Sequence, residues 1–260
     1  MDNQIAELVK ATPNILGQIY QDLAHPSVKA VGCALGTVFE FSTSILLPVK
    51  LLNEKFKLNF TKNLNDYKKK LDSVPEDKRC EVHPQIGTPI IEKLTYTTNG
   101  EIADLFTTLL VNASDMDMVN KAHPSFVNMI ERLSPDEARI IKYLKGRTDI
   151  QYCDFRGIVK VGSGYRVVKE HLTLISKEVD LYFPDNINAY LSNLVGMGIL
   201  FDMSGSYVTD PTIYDRIKEV YRFEETKSML VPEIFRDFVT VDSYYKITDF
   251  GKLFIDACIK

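Results

Sequence analysis

The chain has 260 residues, of which 45% are hydrophobic and 25% charged, and its formal net charge is −4. That balance suits one large or two modest folded domains and excludes a chain-wide attraction to nucleic acid or anionic lipid. Its four scattered cysteines, Cys33, Cys80, Cys153 and Cys258, form no C-x-x-C pair and point to a reducing, cytoplasmic setting with idle thiols.

In chain order, the first 23 residues read as an amphipathic helix broken near Pro13. They begin acidic and polar, so no secretory signal is expected. Residues 28–48, VKAVGCALGTVFEFSTSILLP, are the most apolar window, nearly long enough to span a bilayer but interrupted by Lys29 and Glu40. Gly32 and Gly36 form a G-x-x-x-G there, a spacing that lets helices approach closely. Residues 50–70 carry seven lysines against Glu54 and Asp66, a local charge of +5. Lysines after an apolar span suit an anionic membrane surface, whereas a buried core segment beside a solvated lysine face is the plainer reading. Lys62, Lys68, Lys69 and Lys70 are the binding candidates of this stretch.

Asn99-Gly100 separates two helices, and the second repeats Ile102, Leu105, Phe106, Leu109, Leu110 and Ala113 at helical spacing. Phe126, Val127, Ile130 and Leu133 make the next apolar stripe. Ser134, Pro135 and Glu137 then supply an N-cap, a first-turn proline and the third-position acid of a capping box, and Gly146 stops the helix. After Gly146 the pattern changes. A hairpin around Gly162-Ser163-Gly164 competes with a helix from Val167. A helix is expected from Pro184 to Gly198, then a strand-turn-strand in ILFDMSGSYVT, and a last helix capped by Thr248. This order predicts a mainly α protein, α+β at its C-terminus: a helical domain over 1–133 and a winged helix-turn-helix-like domain over 134–260.

Three blocks carry a resemblance to a known family: GEIADLFTTLLVNASDMDMVNKAHPSFVNMIERLSPDEARIIKYL, NINAYLSNLVGMGIL and YKITDFGKLFIDACI. In them the chain resembles the abortive infection alpha family, bacterial and phage-borne proteins linked to phage resistance. The resemblance implies a role in phage defence by abortive infection and transfers no catalytic residues.

Arg166 and His171, in RVVKEH, resemble the R-x4-6-H pair of HEPN ribonucleases, in which histidine moves protons and arginine holds phosphate. Nine arginines and four histidines produce such a spacing readily by chance. That motif also belongs on a helix, and this one borders a hairpin. His25, His83 and His123 each precede proline, which favours extended or capping conformations. No metal-ligand spacing, nucleophile elbow or phosphate loop is present, so no metal, no cofactor and no catalytic residue is expected beyond the Arg166/His171 alternative.

From Ser134 on, 10 lysines and 7 arginines face 12 aspartates and 7 glutamates, a net −2. The expected recognition helix offers Asn186, Asn188 and Asn193 as base readers but no lysine or arginine, so DNA binding is the alternative to a protein-interaction winged helix. The expectation is a cytoplasmic phage-defence protein acting through protein partners, self-association or a membrane surface, without catalysis. A winged-helix DNA-binding regulator and a HEPN-like ribonuclease stay open as alternatives.

Overall fold

The computed structural model describes residues 53–260. The apolar window 28–48 with its G-x-x-x-G, together with Cys33 and His25, lies outside the described residues. The chain forms two compact units. One comprises the described residues up to Ala138 together with Leu253–Lys260, and the other Arg139–Lys252.

In the first unit, α1 (Glu54–Leu71) starts where the Asn53 side chain accepts from the Lys55 backbone N–H, and it buries Phe60, Leu64, Tyr67 and Leu71 at helical spacing. Its polar interior is matched: Asn63 Nδ2 donates to the Leu94 and Thr97 carbonyls, and the Tyr67 and Ser114 hydroxyls meet at 2.8 Å. Helix α2 (Pro84–Leu94) is capped by His83, whose Nδ1 accepts from Gln85 N. Helix α3 (Gly100–Ala113), capped by Asn99, is buried along Leu105–Ala113 and makes the centre of this unit. Around it lie α4 (Ser125–Glu131) and the C-terminal segment. Phe254 meets Phe126 edge to face at 5.1 Å, and Asn112 Nδ2 donates to the Ala257 carbonyl at 2.8 Å.

Helix α5 (Pro135–Leu144) begins with the capping box expected from Ser134 and Glu137. Ser134 N donates to Glu137 Oε2 at 2.6 Å, and Glu137 N donates back to Ser134 Oγ at 3.2 Å. Ser134→Ala is expected to lower the unfolding free energy by about 1 kcal/mol, read as a shifted urea midpoint, whereas Ser134→Asp leaves it nearly unchanged.

The second unit is built on one curled antiparallel sheet, order β2-β1-β4-β3. Strands β1 (Asp149–Val159) and β2 (Tyr165–Leu172) form a hairpin closed near Gly162, whose φ of +86° suits glycine. After β2 come α6 (Ile175–Glu178), a 3-10 turn at Pro184–Asn186, and α7 (Ile187–Gly196). Then follow β3 (Leu200–Asp202), α8 (Thr212–Val220), α9 (Phe223–Ser228), β4 (Phe235–Ile247) and α10 (Asp249–Cys258). On one face of the sheet Cys153, Phe155 and Phe238 pack with Tyr214 and Ile217 of α8.

The expectation of a mainly α chain ending in a winged helix-turn-helix is overturned: the fold is α+β. The thirteen-residue β4 pairs with β1 from Asp149 to Val159, so it is a central strand of a curled sheet and no wing. Of the window read as strand-turn-strand, only Leu200–Asp202 is strand, and the chain then turns away into α8. The physical reason lies in Phe-Arg-Asp-Phe-Val-Thr-Val-Asp-Ser-Tyr-Tyr. This run is β-branched and aromatic enough for a strand, yet its aspartates hide the run until the partner strand covers it.

Candidate functional site

On the sheet face opposite the Cys153–Phe155 core, three aromatic rings and a carboxylate meet. The cross-strand register sets Ile150 beside Tyr245 and Tyr152 beside Ser243, and irregularities in the β1–β2 pairing between Cys153 and Arg156 bring His171 over the same face. His171 stacks on Tyr152 with ring centroids 4.8 Å apart, and Tyr152 lies 4.8 Å from Tyr245. His171 has φ +50°, a left-handed conformation uncommon outside glycine. Its backbone N–H donates to Asp154 Oδ1 at 2.9 Å, which holds that turn. The other oxygen of Asp154 receives Arg156 at 2.6 Å, and the Arg156 guanidinium lies 4.4 Å from the Tyr165 ring centroid.

The Tyr245 hydroxyl and His171 Nδ1 are 2.6 Å apart. Burial, aided by Asp202 and Tyr152, pushes the Tyr245 pKa up, so the phenol keeps its proton. In that bond the phenol donates when the imidazole proton is on Nε2 and accepts when it is on Nδ1. Tyr152, with its pKa pushed up to about 12 by burial and by its bond to Asp202, donates to Asp202 Oδ1 at 2.7 Å. Both tyrosines thus stay neutral, and Nε2 of His171 has no hydrogen-bond partner among the described residues. Two buried polar atoms next to this cluster, Arg156 Nε and Asn188 Oδ1, also lack a hydrogen-bond partner.

The other residues singled out from the sequence are dispersed. Arg166 is exposed on β2 opposite Gly157, five residues of extended chain from His171, on the order of 16 Å along a strand. Asn186 is exposed at the start of α7, and Asn188 turns its amide toward the Glu170 carbonyl at 3.4 Å. Asn193 is half-buried, and its carbonyl accepts from Met197 N. With the winged helix gone, α7 has no helix-turn-helix frame in which to present these three. On α1, Lys62 and Lys69 are exposed and Lys68 is half-buried, with Lys69 paired to Asp66 at 3.4 Å. Lys70 differs: its side chain is 18% exposed, and Nζ reaches Asp104 Oδ1, the Asp104 carbonyl and the hydroxyls of Thr107 and Thr108 within 2.9 Å. Burial lowers its pKa while Asp104 pulls the other way, so the charge is tolerated there only because four acceptors surround it.

The Cys153 thiol is buried and its pKa is pushed up by burial and by Asp242, which makes it a poor nucleophile. Among the described residues, no group of three or more His, Cys, Asp and Glu could hold a metal ion, and no helix is long and apolar enough to cross a membrane. Tyr152, Asp154, Asp202 and Tyr245 are not legible as a site in the sequence, because only the strand register brings them to His171.

Among solved structures, the chain is similar to the uncharacterized protein from the hydrocarbon-degrading marine bacterium Alcanivorax borkumensis SK2. Identity is 15% and the TM-score 0.33, covering 52% of this chain and 92% of that one, a likeness too slight to argue from. No curated protein matches significantly. The family model described as abortive infection alpha matches residues 53–258. That match takes in every helix and strand named above, and the chain belongs to the abortive infection alpha family.

Proposed function

We propose that this chain serves phage defence by abortive infection and does so by binding a protein partner, phage or host, through the histidine-centred face rather than by catalysis. The observation that carries the reading is the commitment of the groups around His171. Asp154 has both oxygens engaged, the Tyr245 hydroxyl is bonded to Nδ1, and the other ring nitrogen, Nε2, is left. Cleavage of RNA asks for a second proton-transfer group and a cation on the same phosphate, and Arg166 stands far along the strand. Tyr152 and Tyr245 are buried, so a partner would meet the half-buried His171 and the exposed Tyr165, which is tied to it through Arg156 and Asp154.

A second reading, contact with an anionic membrane surface, is favoured by α1. Lys55, Leu58, Lys62 and Lys69 lie at helical spacing on one exposed stripe, with the Leu58 side chain open to solvent.

Phage plating on cells expressing each variant tests both. His171→Asn is expected to lose protection at least tenfold. Asparagine tolerates the left-handed backbone, and the melting temperature falls only by the few degrees that the lost Tyr245 bond and Tyr152 stacking cost, as Tyr245→Phe should show without loss of protection. Arg166→Ala is expected to protect like wild type. Loss in Lys62→Glu/Lys69→Glu alone would favour the membrane reading. RNA degradation requiring both Arg166 and His171 would replace binding by nuclease action, and a wild type that protects against no phage in a broad panel would sink the defence role.

A further inference from the structure

A cavity of about 230 Å³ opens in the same unit, between the start of β1, α6 and α8, and shares none of its lining with Tyr152, Asp154, His171 or Tyr245. It has room for about eight waters, the scale of a small metabolite's charged end. Its polar lining has an unequal balance of donors and acceptors. Glu178 receives the Tyr143 hydroxyl at 2.6 Å and Arg216 at 3.1 Å, one on each oxygen. Asp149 receives the Thr148 hydroxyl at 2.6 Å and the Gln151 amide at 2.5 Å, again one on each oxygen, and its cross-strand neighbour is Lys246. Each carboxylate oxygen thus already holds one donor.

The donors are in surplus. Arg147 lies with its guanidinium 3.9 Å from the Tyr143 ring centroid, and its Nε donates to the Tyr143 carbonyl at 3.2 Å. Those two contacts fix the plane of the group. The terminal nitrogens of Arg147 have no acceptor among the described residues, and Arg216 uses a single nitrogen on Glu178. A guanidinium held in one plane with both terminal nitrogens open is the arrangement that takes a planar or tetrahedral oxyanion through two parallel hydrogen bonds. Leu174, Ile175 and Ile213 supply an apolar wall against which a short carbon skeleton rests.

We infer that this cavity binds a small organic anion, a carboxylate or phosphate ester, with Arg147 as the principal ligand and Arg216 as its second cation. The site is separate from the histidine face and stands whether or not that face binds a partner.

The full-length chain is titrated with inorganic phosphate, with acetate and with sodium chloride at matched ionic strength and pH, following the thermal midpoint. A specific site gives a saturable rise with phosphate or acetate beyond chloride, because a ligand that binds only the folded state stabilises it in proportion to occupancy. Phosphate acting alone identifies a phosphate-bearing ligand, and acetate acting alone a carboxylate. Arg147→Gln is expected to weaken the apparent affinity at least tenfold, Arg147→Lys to restore part of it, and Arg222→Gln, outside the cavity, to change nothing. No saturable rise in wild type with either anion overturns the inference. So does a rise that survives unchanged in Arg147→Gln, since the anion would then sit elsewhere or act as a bulk salt. Should Arg147→Gln fold poorly, the wild-type amide resonances of Gln151 and Thr173 are followed instead as phosphate or acetate is added. Saturable shifts support the site, and their absence overturns it.

Discussion

Lys70→Met is expected to lower the unfolding free energy by about 2–3 kcal/mol, while Lys68→Glu/Lys69→Glu changes it by less than about 0.5 kcal/mol. Three adjacent lysines on one helix thus have sharply different roles. Removing the Lys70 ammonium takes the 2.6 Å cation from the Asp104 carboxylate, 40% exposed, and takes away the donor that the Thr107 and Thr108 hydroxyls accept from. An unmatched acceptor that water cannot fully reach costs more than the bond itself contributed. Lys69 faces solvent beside Asp66, and an exposed pair of that kind contributes little. Urea midpoints at neutral pH decide the matter. Equal shifts for the two changes would mean that Lys70 is not an internal tie. It follows that charge reversal across all three lysines cannot serve as a probe of membrane or nucleic-acid contact, since it would unfold the unit that carries them.

Gly251→Ala is expected to cost about 3 kcal/mol or more, enough to leave much of the chain unfolded near body temperature. A Cβ at Gly251 would stand 2.2 Å from the Ile199 carbonyl oxygen and 3.0 Å from its carbon, and both are backbone atoms that cannot rotate aside. They are also tied: the Ile199 carbonyl accepts from Thr248 N at 3.0 Å, and the Thr248 hydroxyl donates to the Gly198 carbonyl at 2.6 Å while accepting from Gly251 N. The Thr-x-x-Gly at the start of α10 is therefore one joint, in which threonine caps the helix and glycine lets it touch the chain before β3. Gly196→Ala is the matched control. A Cβ there meets nothing within 4 Å, and replacing glycine in a helix gains about 0.5–1 kcal/mol. Denaturant unfolding of the pair should show midpoints moving in opposite directions; a Gly251→Ala midpoint at the wild-type value would contradict the close approach.

The helices are legible in the sequence where a period and a cap coincide. Asn99, Ser134 and Thr248 each sit before an apolar repeat, and each caps a helix. The sheet is less legible. The glycines at 162 and 164 mark the β1–β2 hairpin, but β4 is recognisable only beside β1, because strand pairing joins residues about ninety positions apart. The same distance hides the histidine face: Tyr152, His171 and Tyr245 share no spacing, and the Arg166/His171 spacing that stands out in the sequence belongs to a helix that does not exist here. Lys70 carries a subtler signal. It follows Tyr67 by three residues and so borders the buried stripe of Phe60, Leu64, Tyr67 and Leu71.

The division of the chain into units has a consequence for biosynthesis. The chain leaves the first unit after Ala138 and rejoins it at Leu253, so the helical unit is interrupted by the sheet unit. Phe254 and Ala257, which fill the space beside Phe126 and Asn112, emerge from the ribosome more than a hundred residues after their partners. The sheet unit, whose residues are contiguous, has all its parts in hand first. The helical unit waits for its last stretch of helix with the flank of Phe126 uncovered, and during that interval the nascent chain cannot have its finished helical surface.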